Sequence, residues 1–257
     1  MRVLAYDPYL APSRAENVQL SWVPAWQADA NQEQVYLLDA NGRLAAQRSI
    51  AANEGRGALS WPLQAGKGSY QVAIPGYSFR RYRLEYDDTT RAQFAPAKVH
   101  FSLETDASTT LYFRVAAGER ASLAGKFHDG VRTFDLLRVG DGSRLKLPLR
   151  AYKAYWQFDQ VQLPVSPTEQ VWRLTLNGSG KAAFWLDGSA NLFALRPQDL
   201  APLQQQEGTV KLRGSARVVG PTPRLGNNLP YVLPPESSYA VLDALKLQAA
   251  GYYTFAD

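Results

Sequence analysis

Two stretches of sequence decide the fold class: residues 172–178, WRLTLNG, and residues 111–118, LYFRVAAG. In each, large apolar residues alternate with polar ones, so every second side chain points to the same face of an extended strand. Each stretch ends at a glycine, which is typical of a turn. Short strands separated in this way predict a jelly-roll β-sandwich over residues 94–197.

The chain before residue 94 shows the same alternation and predicts another β-sandwich over residues 1–93, of the immunoglobulin or fibronectin-III type. Residues 18–22 alternate, and Asn41-Gly42 is a strong hairpin signal because both residues tolerate positive φ. Residues 61–72 contain a glycine-bearing turn and predict a closing hairpin. Residues 81–86 predict a half-exposed strand with Tyr82 and Leu84 on one face and Arg81 and Arg83 on the other.

Residues 198–257 differ in character from the rest of the chain. A polar, glutamine-rich connection precedes residues 234–247, in which apolar residues recur at helical spacing. Residues 251–257 then predict a final strand. The predicted fold class is therefore mainly β, with two antiparallel β-sandwich modules and a short C-terminal α/β extension.

Some of these strands resemble those of known modules. Residues 111–119, with the pair of strands at 172–176 and 184–193, resemble jelly-roll modules of secreted bacterial proteins related to glycoside hydrolases. Residues 225–257 resemble the entry into a glycoside-hydrolase (β/α)8 barrel. The resemblance implies an accessory region of a carbohydrate-active protein that is secreted, periplasmic or at the cell surface, with a catalytic domain as a possible downstream partner.

Composition narrows the classes of function. The 257 residues are 46% hydrophobic and 12% aromatic, which favours a folded chain over a disordered one. Cysteine is absent, so disulfides and thiolate metal sites are excluded. The net charge of +5 is spread along the chain, which does not favour a nucleic-acid partner. No apolar run reaches about 18 residues, so no membrane-spanning helix is predicted.

Catalytic chemistry has little basis in the sequence. The only histidines are His100 and His128, and neither lies in a metal-binding motif, so no catalytic residue and no cofactor is predicted. Three Asp-Gly pairs are typical of tight turns, with a structural calcium ion as an alternative. An enzyme remains possible through a cryptic cleft, or if the chain is the N-terminal fragment of a glycoside hydrolase.

Aromatic and polar side chains in residues 150–158 predict the ligand site. Alternation there places Tyr152, Trp156 and Phe158 on a core face and leaves the residues between them outward. Sugar rings stack on aromatic rings while amides and cations bind their hydroxyls. The predicted ligand-binding residues are Tyr155, Lys153, Gln157, Trp185, Trp26, Arg81 and Arg83.

The arginines extend the predicted ligand to an anionic polysaccharide, beside neutral polysaccharides and oligosaccharides. The leading hypothesis is thus a non-catalytic carbohydrate-binding or accessory module. The alternative from another class is a structural or protein-interaction scaffold at the cell surface, which an exposed sheet edge would favour.

Overall fold

A computed structural model of the protein describes most of the chain up to residue 200. The described residues are 2–3, 6–24, 32–74, 80–96, 103–105, 107–128, 130, 132–150 and 157–200. Within them the chain forms β-strands and one short 3-10 helix, and no α-helix. The predicted C-terminal helix and strand lie outside this part, as do Trp26, Lys153 and Tyr155.

The strands fall into two consecutive sets. Residues 2–96, here called the first unit, contain β1 Arg2–Val3, β2 Tyr6–Ala11, β3 Glu16–Pro24, β4 Glu33–Leu38, β5 Leu44–Ile50, β6 Gly57–Leu63, β7 Tyr70–Ala73, β8 Arg80–Glu85 and β9 Arg91–Pro96. Residues 103–200, the second unit, contain β10 Leu103–Thr105, β11 Thr109–Val115, β12 Ser122–His128, β13 Thr133–Arg138, β14 Arg144–Pro148, β15 Asp159–Gln162, β16 Gln170–Asn177, β17 Gly180–Asp187, β18 Phe193–Ala194 and the 3-10 helix Pro197–Leu200.

The second unit is an antiparallel sandwich with jelly-roll connectivity. One layer has the order β15-β12-β17-β10 and the other β14-β13-β16-β11, so successive strands mostly alternate between layers. The predicted alternation is confirmed in β16, where Trp172, Leu174 and Leu176 are buried and the residues between them are partly exposed. The apolar residues predicted to share one face of this strand are therefore part of the core.

The first unit is also a two-layer sandwich. One layer has the order β1-β8-β3-β6 and the other β9-β2-β7-β4-β5. The Asn41-Gly42 hairpin is confirmed, since β4 pairs with β5 and Gly42 has a φ of 73°. The predicted closing hairpin at residues 61–72 is wrong.

The two strands of that expected hairpin lie in different sheets. β6 pairs with β3 in one sheet, whereas β7 pairs with β2 and β4 in the other. Gly66 and Gly68 adopt positive φ values of 71° and 83°, and they lie in the connection that carries the chain between the sheets. β7 is buried throughout because it lies inside the ten-stranded sheet.

Both sheets run through both units without a break. The two-residue strand β1 pairs with β8 on one side and β10 on the other, which completes an eight-stranded sheet. β18 pairs with β11 and with β9, which completes a ten-stranded sheet. One hydrophobic cluster contains core residues of both units. The division of the chain at residue 93/94 stays a prediction.

The end of the described chain is fastened across the boundary between the units. The Arg196 guanidinium donates to the backbone carbonyls of Asp88 at 2.6 Å and Thr90 at 2.9 Å, and it forms an ion pair with the buried carboxylate of Asp199 at 2.8 Å. Gln93 donates to the carbonyl of Asp199 at 2.6 Å. The 3-10 helix is thereby held against the first unit.

Candidate functional site

The candidate site lies on the outer face of the eight-stranded sheet. In β17, Phe184 and Leu186 belong to the common core, so alternation turns Trp185 to the opposite side. There Trp185 packs with Ala124 and Ala183 in a small separate cluster. Both neighbours are alanines, which leaves room on the sheet for the large indole.

An aromatic pair forms the centre of this face. The rings of Phe158 and Trp185 meet edge to face, with centroids 5.1 Å apart and planes at 65°. The Trp185 indole N–H donates to the Asp187 carboxylate at 2.9 Å. Trp185 is 5% exposed but Phe158 is 40% exposed, so Phe158 presents the accessible ring. We call Phe158, Trp185 and Asp187 the aromatic corner.

Exposed amides flank the aromatic corner on the strand at the edge of the sheet. Gln160 pairs with Ala124 of β12 and Gln162 pairs with Ser122, so both glutamines share the outer face with Trp185. Gln157 precedes Phe158 and is exposed. The surface beside the aromatic corner therefore carries amide donors and acceptors next to an aromatic ring.

A buried lysine lies on the same face. Lys126 is opposite Ala183 in the β12–β17 ladder and is 2% exposed. Burial lowers the pKa of Lys126 to about 8, because an ammonium ion loses hydration in this position. The lysine can therefore change its charge in mildly alkaline solution.

The two predicted arginines lie on this face as well, at some distance from the corner. Arg81 and Arg83 are on β8, three strand steps from β17 through β10 and β1, which corresponds to roughly 14 Å. Nε of Arg81 is 3.0 Å from Glu104 and Nε of Arg83 is 2.9 Å from Glu85. These carboxylates offset much of the positive charge of the arginines.

The structure thus places four of the seven predicted ligand residues on or beside one sheet face. Trp185 belongs to the aromatic corner and the exposed Gln157 directly precedes Phe158, while Arg81 and Arg83 form a separate group. Their role in binding stays a prediction. Phe158 was expected in the core, but it is exposed on the outer face just before β15, which is the last described strand at this end of the sheet.

Sequence reasoning missed Gln160, Gln162 and Lys126 as members of the site. One signal was available for the lysine, since Lys126 interrupts the otherwise apolar segment from Leu123 to Phe127. The signal for the glutamines was weaker. Assigning them to this face requires the pairing of β15 with β12, which is not visible in the local sequence.

The described residues offer no evident metal centre. No group of three or more histidine, aspartate or glutamate side chains among them is placed to hold a metal ion. Their buried carboxylates at Glu33 and Asp199 are held in ion pairs with Arg80 and Arg196. No helix within the same part of the chain has the length and apolar character needed to cross a membrane.

Comparison with known proteins adds no relative to this description. No protein-family model matches the chain, and no curated protein matches its sequence. The resemblance to modules of glycoside-hydrolase proteins therefore stays a prediction.

Proposed function

We propose that this chain is a non-catalytic carbohydrate-binding region of a carbohydrate-active protein, and that an oligosaccharide binds at the aromatic corner. The observation that carries the proposal is the exposed ring of Phe158, braced edge to face by Trp185 and flanked by exposed glutamines. An aromatic ring beside amides is what a sugar needs, because its C–H face is apolar and its rim carries hydroxyls.

The arrangement favours a flat, shallow contact. Phe158 offers a ring for stacking, and the indole of Trp185 is fixed beneath it by its hydrogen bond to Asp187. A braced ring loses little conformational entropy on binding, which makes the contact more favourable. The glutamine amides on β15 then set the orientation of the sugar through its hydroxyls.

The arginines on β8 extend the proposal to a longer ligand. Arg83 is 60% exposed and Arg81 is 38% exposed, and each guanidinium carries five N–H donors. A polysaccharide lying along the sheet would meet the aromatic corner first and these arginines farther along. An anionic polymer would compete with Glu85 and Glu104 for them.

The test measures polysaccharide binding by the full chain and by Phe158→Ala. Affinity electrophoresis against neutral glucans and xylan, and against alginate and polygalacturonate, covers both ligand classes. We expect Phe158→Ala to weaken binding about tenfold, since a stacked aromatic contact contributes on the order of 1 kcal/mol or more. Tyr155→Ala in the same assay tests the predicted role of Tyr155.

The matched control is Val139→Ala, which removes an apolar side chain that is 51% exposed in the turn between β13 and β14 of the other sheet. This variant should bind like the parent protein. Equal binding by the Phe158→Ala variant and the parent would refute the aromatic corner as the site. Absence of binding to every polymer would refute the proposed function.

A second candidate function is a rigid structural scaffold. The observation that favours it is the continuity of both sheets and of the hydrophobic core across the two units. Such continuity prevents the two units from rotating relative to each other. It suits a spacer that holds other domains or proteins at a fixed distance. Light scattering coupled to size exclusion would support assembly if it showed a stable oligomer without sugar binding.

A further inference from the structure

A groove lies at the end of the molecule opposite the aromatic corner, and the function proposed above does not use it. It has a volume of about 440 Å³ and lies between the β4–β5 turn and the connection from β6 to β7. β5 and β6 are the last strands of their sheets, at the ends opposite β14 and β15. The residues that line the groove are Asp39, Asn41, Ala45, Pro62, Gln64, Lys67 and Tyr70.

The first wall of the groove is fixed by a tightly bonded turn. One carboxylate oxygen of Asp39 accepts the backbone N–H groups of Asn41 and Arg43, each at 2.9 Å. The backbone adds two bonds, from Asp39 N–H to the Arg43 carbonyl at 2.8 Å and from Gly42 N–H to the Asp39 carbonyl at 2.9 Å. This wall therefore exists before any ligand arrives.

The second wall is anchored by a buried tyrosine. Tyr70 is 7% exposed and its hydroxyl accepts the backbone N–H of Gln64 at 3.3 Å. Positive φ values at Gly66 and Gly68 turn the connection between the sheets, and Lys67 lies between these two glycines. A ligand would thus meet a preformed surface, which lowers the entropic cost of binding.

The chemistry of the groove points to a neutral, hydroxyl-rich ligand. Its lining contains one carboxylate and one ammonium group, so the formal charges cancel. The amides of Asn41 and Gln64 supply further donors and acceptors, while Pro62 and Tyr70 supply apolar surface. An anionic ligand would be attracted by Lys67 but repelled by Asp39, and a cationic one would meet the reverse.

We propose that this groove is a saccharide site separate from the aromatic corner, and that it binds one or two units of a neutral sugar. Its volume lies within the range of about 300–1,000 Å³ that is typical of small-molecule sites. It shares no residue with the aromatic corner, the β15 glutamines or the β8 arginines, so this proposal can be tested independently of the proposed function. Two sites at opposite ends would let one chain hold two points of a polymer.

The experiment is an NMR titration of the isotope-labelled full chain. The probes are glucose, galactose, mannose and N-acetylglucosamine, with galacturonate as the anionic comparator. We expect the side-chain amide signals of Asn41 and Gln64 to shift with at least one neutral sugar, with a dissociation constant on the order of 1 mM. Galacturonate should bind more weakly than galactose.

Lys67→Ala and Gln64→Ala should each weaken this binding about tenfold, since each removes a hydrogen-bonding group from the groove. Both residues are exposed, so the fold should persist. Lys146→Ala is the matched control, because Lys146 is exposed on β14, at the end of the ten-stranded sheet opposite β5. It should leave the titration unchanged.

The outcomes separate the two proposals. Phe158→Ala should leave the groove titration unchanged although it weakens polymer binding. An unshifted spectrum with all four neutral sugars would overturn the groove proposal, as would preferential binding of galacturonate. Neither result would affect the polysaccharide assay at the aromatic corner.

Discussion

Among the residues that the structure describes, one basic side chain is buried in each unit, and the two lie in different surroundings. Arg80 of the first unit lies in the interior, 3.1 Å from the Glu33 carboxylate, and donates to the carbonyls of Ala51 at 2.7 Å and Glu54 at 3.2 Å. Lys126 of the second unit lies on the outer face, where burial lowers its pKa. The Arg80 charge is paired with a carboxylate, whereas burial disfavours the charged form of Lys126.

The hydrophobic cores of the two units also differ in the polar groups that they contain. In the first unit the Tyr82 hydroxyl also donates to Glu33, so a tyrosine, a carboxylate and a guanidinium form one buried group. The interior of the second unit is aromatic: Phe184 meets Phe134 at 86° and Phe193 at 80°. The first core therefore includes a buried charged group, and the second includes a cluster of phenylalanine rings.

The largest expected effect comes from removing the acid of the buried network. Glu33→Ala leaves the Arg80 charge buried without its carboxylate and takes the acceptor from Tyr82. We expect it to lower the free energy of unfolding by about 3–5 kcal/mol. Urea unfolding followed by tryptophan fluorescence measures this loss.

The control for that change replaces the ion pair as a whole. Glu33→Met combined with Arg80→Met should cost far less than Glu33→Ala, because no unpaired charge is left inside. Phe184→Ala in the second unit should cost about 3–5 kcal/mol through the cavity it leaves. If the double variant were as unstable as Glu33→Ala, the comparison between the cores would fail.

A smaller effect is expected from two strand glycines that each lie under an aromatic ring. A Cβ at Gly125 would come within 2.1 Å of Phe134, and one at Gly57 within 2.4 Å of Trp22. Gly125→Ala should cost about 1–3 kcal/mol, because β12 is paired on both sides and cannot move away.

Gly57→Ala should cost less than Gly125→Ala. Within the described part of the chain β6 pairs with β3 alone, so this edge strand can shift to relieve the contact. Thermal unfolding of both variants under one set of conditions gives the comparison. Equal losses of stability would show that edge position does not matter here.

The smallest expected effect concerns pH and Lys126. Its pKa of about 8 in the folded protein lies below the value of 10.5 for a free lysine, so the unfolded chain binds more protons between these values. Stability should therefore rise with pH across this window, by on the order of 1–2 kcal/mol from roughly pH 7 to roughly pH 9.5.

Lys126→Met should abolish that rise, since methionine does not titrate. Chemical unfolding at the two pH values, for the parent and the variant, isolates the contribution of the lysine. Lys146→Met, which changes an exposed lysine, should retain the rise. An identical pH dependence in the parent and Lys126→Met would contradict the assignment.

The strands of the second unit were predictable because their signal is local. Alternation in residues 111–115 and 172–176 follows directly from the geometry of a strand with one buried face. The crossing at residues 61–72 was not predictable in this way. Whether two successive strands pair or change sheets depends on partners far away in sequence, and here those partners are β3, β2 and β4.

The candidate site was predictable residue by residue but not as a surface. Arg81 and Trp185 were each expected to bind ligand, yet only the pairing through β1 and β10 places them on one sheet. The face on which Phe158 lies was predicted wrongly. Alternation assigned it to the core, but the face on which a residue lies near the end of a strand depends on where the sheet stops.

The fastening at Arg196 determines how a mechanical load enters the molecule. The Arg196 guanidinium donates hydrogen bonds to the carbonyls of Asp88 and Thr90. A force applied to the backbone at Leu200 is therefore transmitted to the turn between β8 and β9 before it reaches β18. Tension is thus shared between both units.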